Sequence, residues 1–564
     1  MIVWRVGRNP FYLQSFTGTS YPCPSSLKNH PTGPLHPENR KKLQGTDKEA
    51  RNMELSGNNF LITSLELLAA LFVVAIGALI LWALGAYVID ITQSKHAIRR
   101  NYPVIGRFRY FFEHLGAFFR QYFFSQDREE LPFNRAERSW VYQAAKNLDT
   151  TVPFGSTHDI RSSGSVFFLN CPFPKLGEDA TPTAAVTIGP CCEHPYTTDA
   201  LINVSGMSYG AISRPAVQAL SHGARMAGCW MNTGEGGLSA YHLEGGADLV
   251  YQIGTAKYGI RDGDGQLSDE KLRQVARHDS VCMFEIKLSQ GAKPGKGGIL
   301  PAAKVTDEIA RIRGIPRHQD SISPNRHAEI NSVDDLLDMI DHIRHITGKP
   351  VGFKAVMGSL EWLDHLCGEI HRRGTECAPD FITVDGAEGG TGAAPMSLMD
   401  HMGIPLRESL PLVVNKLLEY GLRDRVRVIA SGKLVTPAAV AWALCMGADF
   451  CATARGFMFA LGCIQALQCN KDTCPTGITS HNPRLQRGLD PQLKAVRVSN
   501  YAHNMVHEVG VIAHACGVSS PRHLRRHHAR TVTEQGVSVP LNERYPEPVP
   551  TVTDVVPLGQ SRRA

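Results

Sequence analysis

Cys463, Cys469 and Cys474 share one short run, GCIQALQCNKDTCP. Thiolates are soft ligands, and three of them this close together can hold iron and inorganic sulfide. A missing fourth cysteine suits a three-iron cluster better than a four-iron one. Spacing alone leaves that reading level with three reduced structural thiols. Other residues able to do chemistry lie upstream. Glu235 sits in the glycine-rich run TGEGG and can handle protons. Lys287, Gln290 and Lys293 follow one another closely and can pair with carboxylates. Lys354 interrupts an apolar segment. The alternative for each lysine is a solvated surface charge, and for Glu235 a role in a turn.

These residues need elements to position them. From about residue 200, short apolar stretches alternate with helical ones. The stretches 201–204, 229–231, 249–253, 283–288, 351–356, 381–384, 426–430 and 450–453 read as strands. The segments 214–227, 269–277, 333–346, 360–373, 408–419 and 437–445 read as helices; in the first, Ser213 is placed to cap and Pro215 sits just inside. Eight strand–helix units predict an α/β fold, a (β/α)8 TIM barrel, with a doubly wound sheet as the alternative. The polar and glycine-rich runs all follow strands, which places them at the C-terminal face where barrels build active sites. After the seventh strand comes Ser431-Gly432-Lys433, and after the eighth Arg455-Gly456. Glycine loops at those two places let backbone N–H groups reach a phosphate, and that of FMN would fit.

Residues 67–89 are 23 consecutive uncharged, mostly apolar residues, and roughly 20 span a bilayer core. The expected architecture is therefore a barrel preceded by one transmembrane helix. Lys95, Arg99, Arg100, Arg107 and Arg109 follow this stretch, whereas Lys48 and Arg51 before it are mixed with acids. The positive-inside rule then places the C-terminal part in the cytoplasm, on a single-pass cell-membrane protein. Residues 108–124 are rich in phenylalanine and could lie in the membrane interface or pack on the catalytic domain. The expected organisation is an irregular segment 1–58, a membrane helix 59–92, a connecting region 93–195, a barrel with the cysteine run 196–525 and a loose proline-rich tail 526–564. The 564-residue chain is 43% apolar and 20% charged, with 14 cysteines in no paired framework, which favours a reducing compartment. Its net charge of +6 is spread thinly and leaves no nucleic-acid footprint.

Taken in order, the strings MSYGAIS, NTGEGG, KLSQGAKPGKGGILPAAKV, SISP, DGAEGGTGAAP and GCIQALQCNKDTCPTG resemble the FMN-binding synthase domain of glutamate synthase over about residues 190–520. The resemblance implies a 3Fe–4S cluster on Cys463, Cys469 and Cys474. It implies an FMN site drawn from Met207, Ser208, Lys354, Gly389, Gly390, Gly432, Arg455 and Gly456, with Lys354 near the flavin ring. It implies catalytic roles for Glu235 and Lys354, and binding of 2-oxoglutarate or glutamate by Lys287, Gln290 and Lys293. The implied reaction reduces 2-iminoglutarate, formed from 2-oxoglutarate and ammonia, to L-glutamate.

Two departures qualify what is carried over. Nothing before residue 190 reads as a glutaminase domain, so ammonia is expected from solution or from a separate glutaminase-like subunit. Lys296 stands where the family usually has an acid, which reverses a charge beside the substrate loop and bears on which substrate is used. No Gly-x-Gly-x-x-Gly follows a strand and opens a helix, so electrons are expected from ferredoxin, a reductase subunit or a membrane carrier rather than from bound NADPH. The alternatives are a subunit of a glutamate-linked transferase, such as methylamine–glutamate N-methyltransferase, and a non-catalytic flavin and iron–sulfur relay.

Overall fold

The computed structural model describes residues 37–549, with side chains from residue 60 onward apart from Ala117. It contains two compact units, one ending at Phe124 and the other beginning at Ser125. The expected irregular segment lies outside the described residues up to position 36. From Pro37 the backbone is instead helical, continuous to Thr92.

Within the first unit, Phe60–Thr92 is long and apolar enough to cross a membrane, with a mean hydropathy of 2.8 over its most apolar window and none of that window buried. Asp90 closes its end. Its carboxylate accepts from Arg107 Nε at 2.8 Å and from the Val104 amide at 3.0 Å. Past the short helix Ala97–Asn101, that clamp fixes the turn into the helix Gly106–Phe119, whose phenylalanines 108, 111, 112 and 118 are all exposed.

In the second unit, eight parallel strands close into a barrel. In chain order they are β1 (Ile202–Val204), β2 (Met231–Asn232), β3 (Leu249–Ile253), β4 (Val281–Lys287), β5 (Val351–Ala355), β6 (Phe381–Asp385), β7 (Arg427–Ser431) and β8 (Phe450–Thr453). Strand β8 pairs with β1, Thr453 opposite Val204, and completes the ring. Near-continuous apolar runs suit strands buried on both faces. All eight overlap the stretches read as strands, to within two residues at either end, although β2 shares only Met231 with the expected 229–231. At the N-terminal end of the barrel, Trp230, Val250, Met283, Phe381 and Phe450 form one inner layer with Ile188 and Tyr196. The last two come from a hairpin, Val186–Ile188 with Tyr196–Thr198, that plugs this end.

The helices 214–227 and 437–445 match expectation to the residue. Three features differ from it. Arg135–Ala145 is a helix inside the supposed connecting region, held by a reciprocal cap in which Glu137 N donates to Asn134 Oδ1 at 3.0 Å and Asn134 N to Glu137 Oε2 at 2.9 Å. Pro491–Ala515 is the longest helix of this unit, capped by Asp490, and packs on 214–227 where Gly223 has no side chain to hold it off. The described part of the tail is not loose. Ala529–Val532 pairs on one side with Val166–Phe168 and on the other with Ser538–Pro540.

Candidate active site

The strand ends deliver the chemistry to one face. The turns after β1 and β2 and the loops after β4 and β6 enclose a cavity of about 150 Å³, lined by Ser208, Glu235, Lys287, Gln290, Lys293 and Arg313 among others. Lys287 Nζ meets Glu235 Oε2 at 3.1 Å and also donates to Gln290 Oε1. Burial alone would raise the Glu235 carboxyl pKa, but Lys287, Lys293 and Arg313 outweigh it and hold the group below the usual carboxylate value. Glu235 is therefore ionised at neutral pH. Burial, reinforced by the Lys287 charge, lowers Lys293 to about 8. Arg313 Nη1 donates to Ser321 Oγ at 3.2 Å, and its buried Nε has no partner. Three cations thus surround one carboxylate, and the spare positive charge suits a ligand with more than one carboxylate.

Close backbone approach shapes this cavity. A Cβ on Gly298 would lie 2.4 Å from Glu235 Oε1, and one on Gly297 1.9 Å from the Ser323 carbonyl. Lys296 between Gly295 and these glycines is exposed and lines neither large cavity. Its side chain is outside the cavity, yet its charge still acts on the site, adding to the effects of burial and Lys287 that lower Lys293.

Lys354 occupies the barrel interior. Burial would lower its pKa, but Asp385, 3.4 Å away, and Glu285 more than offset this and raise it. Asp385 Oδ2 also accepts from the Gly291 amide at 2.7 Å, and its Oδ1 from Ser431 Oγ at 2.7 Å, tying together the ends of β4, β6 and β7. Glu285 accepts from Asn232, Gln252 and Thr383 at 2.6–2.8 Å. Lys354 lines neither of the two large cavities but a small void of about 10 Å³ beneath them.

Beside the first cavity lies a second of about 900 Å³, sharing Gly390, Thr391, Arg455 and Cys469 with it. Gly389, Lys433, Cys463 and Cys474 line the second cavity only, and Met207 and Ser208 the first only. Gly432 lines neither. Its φ of +152° and a Cβ position 3.2 Å from the Gly386 amide show that it lets the loop after β7 pass the loop after β6. A Cβ on Gly456 would lie 2.1 Å from Tyr501 Oη, so its bareness lets the chain pack there. Arg455 Nη2 donates to the Thr391 carbonyl at 2.8 Å, while Nη1 stands 4.0 Å from Cys469 Sγ.

All three cysteines of the run face this second cavity. Burial pushes the Cys463 thiol up. Burial also acts on Cys474, but the hydroxyls of Thr476 and Thr479 outweigh it and lower that thiol. The loop holds Gln465, Leu467 and Asp472 at positive φ, which non-glycine residues adopt only under constraint. Among the described residues, no group of three or more His, Cys, Asp or Glu is arranged to hold a single metal ion. A cluster differs, because its cysteines each bind a separate iron. Three thiols lining the same roomy cavity have the chemistry such a group needs. Lys433 and Arg455 beside glycine loops fit a phosphate, and 900 Å³ admits a cofactor of FMN size.

Sequence reasoning missed Arg313, Lys304 and Phe133. Arg313 ends the helix Asp307–Arg313, and only the helical period, with Ile309 and Ala310 buried on the same face, distinguishes it from Arg311. Buried Lys304 donates to the carbonyls of Ala211 at 2.8 Å and Cys469 at 3.2 Å, joining the two cavities, and burial lowers it to about 8.

Residues 178–519 match the family described as the conserved region in glutamate synthase. The chain is 40% identical over 489 residues to the glutamate synthase large subunit-like protein YerD of Bacillus subtilis (strain 168), covering 80% of this chain and 92% of that one. It is 34% identical over 348 residues to the archaeal glutamate synthase (NADPH) of Methanocaldococcus jannaschii, covering 61% of this chain and 64% of that protein. Among solved structures, flavocytochrome b2 with pyruvate bound aligns at a TM-score of 0.40 and 15% identity, covering 79% of this chain and 93% of that one. With its matched region spanning the whole barrel and the cysteine run, the chain belongs to the glutamate synthase family.

Proposed function

We propose that this protein is a membrane-anchored oxidoreductase, dependent on FMN and a 3Fe–4S cluster, that reduces 2-iminoglutarate to L-glutamate. One observation carries the reading: a cavity rich in cations shares a wall, Gly390, Arg455 and Cys469, with a larger cavity lined by three cysteines. Lys433 and Arg455 would hold the phosphate of FMN, and Cys463, Cys469 and Cys474 the cluster. The bound flavin would supply hydride chemistry, and the cluster one-electron exchange with an external donor such as ferredoxin or a reductase subunit.

The protein's own residues do the rest. Lys287, Lys293 and Arg313 hold the two carboxylates of the substrate, and Gln290 orients Lys287. Ionised Glu235 favours the protonated iminium over the neutral imine, which makes its carbon more electrophilic. By keeping the proton on the substrate nitrogen, Glu235 ensures that hydride supplied at the carbon would leave the amino acid with no further proton to be found. Ammonia comes from solution or from a glutaminase-like subunit. The apolar helix Phe60–Thr92, with Arg99, Arg100 and Arg109 after it, supports anchoring with the barrel in the cytoplasm.

The test is to purify the full chain without oxygen, reduce it, and add 2-oxoglutarate with ammonium. Flavin reoxidation with formation of L-glutamate is expected. A colourless protein lacking iron and sulfide would remove the cofactors, and loaded protein that stays reduced would remove the substrate.

A further inference from the structure

The cysteine run is not walled by the barrel alone. Residues 130–142 precede the matched family region, which begins at 178, yet they reach its cysteine loop at several points. Tyr142 Oη donates to the Cys463 carbonyl at 2.6 Å. Gln465 Nε2 donates to Glu130 Oε1 and to the Phe133 carbonyl, both at 3.0 Å. Arg138 braces the same two acceptor residues, with Nη2 on Glu130 Oε2 at 2.7 Å and Nη1 on the Phe133 carbonyl at 2.8 Å.

The Phe133 ring, 4% exposed, meets Phe459 edge-on at 5.3 Å and lies under the Lys433 ammonium at 5.9 Å. Phe133 itself lines the large cavity. On its far side, the helix Arg135–Ala145 is fastened by Asn504, whose Nδ2 donates to the Ala144 carbonyl at 2.8 Å. A loop that holds three non-glycine residues at positive φ needs surroundings that over-determine it, and this segment supplies them.

We propose that residues 130–142 form an added wall of the cofactor site, in which Phe133 and Tyr142 are positioning residues that hold the Cys463–Cys474 loop and shield its thiols from solvent. This rests on the reading of that loop as the cluster-binding segment. Phe133 seals the cavity and seats Lys433 by a cation–π contact. Tyr142 pins the backbone at Cys463. Gln465, shared between Glu130 and the Phe133 carbonyl, sets the first turn of the loop.

The test uses the full-length protein with Phe133→Ala, Phe133→Leu and Tyr142→Phe. Once iron has been stripped by a chelator, iodoacetamide labelling of each cysteine is followed by mass spectrometry. Phe133→Ala is expected to speed labelling of Cys463 and Cys469 about tenfold, with Phe133→Leu within about twofold of wild type. Tyr142→Phe keeps its ring and should speed Cys463 alone, by about fivefold. Cys367 and Cys451, buried elsewhere in the barrel, should label at the wild-type rate throughout. In iron-loaded protein, loss of iron to the chelator should accelerate in the same order.

Wild-type labelling of Cys463 in Phe133→Ala overturns the wall. So does equal acceleration at Cys367 and Cys451, which would make Phe133 an ordinary core residue. A wild-type protein purified without iron or sulfide overturns the cluster reading instead, and the labelling rates then judge the wall by itself.

Discussion

At the scale of single residues, the site is a balance of charge in a small buried space. Glu235 stays ionised because three cations outweigh its burial. Glu235→Gln removes the partner of Lys287 and the anion that favours the iminium, and should lower turnover about a hundredfold. Stopped-flow reoxidation of the reduced flavin by 2-oxoglutarate and ammonium measures this. Lys293 titrates near 8, below the ordinary lysine value of 10.5. A carboxylate needs its charged form, so KM for 2-oxoglutarate should rise as pH passes 8, and Lys293→Arg should move that rise to higher pH. The linkage to folding runs the other way. Below about 8 the folded state carries the full cost of a buried ammonium, and stability from this group grows as pH climbs from 8 towards 10.5, where the unfolded chain binds more protons. Lys287→Gln and Gln290→Ala together separate an enzyme from an electron relay: an enzyme loses substrate-dependent flavin turnover, whereas a relay is indifferent.

At the scale of elements, glycine decides how closely the parts approach. Gly456 lets the helix Arg455–Leu461 meet Tyr501 of Pro491–Ala515, and Gly223 lets the helix Arg214–Ala227 meet Val498, where a Cβ would lie 2.5 Å from the valine Cβ. Both helix partners are buried, so neither can yield cheaply. Gly456→Ala or Gly223→Ala should cost about 1–3 kcal/mol, read as a lower midpoint in urea unfolding. Much of this level was legible in advance. Apolar runs of three to six residues separated by helical periods read as strands buried on both faces. The helix Arg135–Ala145 was legible too, since Asn134 and Glu137 have the spacing of a capping box, but polar neighbours obscured it. The tail looked loose because of its prolines. Pro540 ends a strand at the sheet edge, where no partner needs its missing N–H.

At the scale of the whole molecule, the protein joins a long apolar helix to a cofactor-type barrel in one chain. A charge placed mid-helix tests the anchor. Ile76→Arg costs about 3 kcal/mol on insertion scales and should release part of the protein into the carbonate-soluble fraction. Wild type released entirely by carbonate would sink the membrane reading. The arginines of the run PRHLRRHHAR at 521–530 are used internally. Arg522 donates to the carbonyls of Ala184 and Asp449, Arg526 to that of Tyr545, and Arg530 to that of Ser538. Arg522 thereby ties the C-terminal segment to the start of β8, while Arg526 and Arg530 brace that segment internally.

Local pattern by itself determined the eight strands, the loops that carry chemistry and the cysteine run, because hydrophobic period, glycine and residue type are properties of neighbours in sequence. Tertiary structure alone decided which charges share a space. Arg313 joins Lys287 and Lys293 across the first cavity. Lys296, only three positions from Lys293, turns to solvent. Phe133 reaches a cysteine loop more than three hundred residues away. Burial and long-range contact depend on how distant segments pack, and no short window of sequence holds that information.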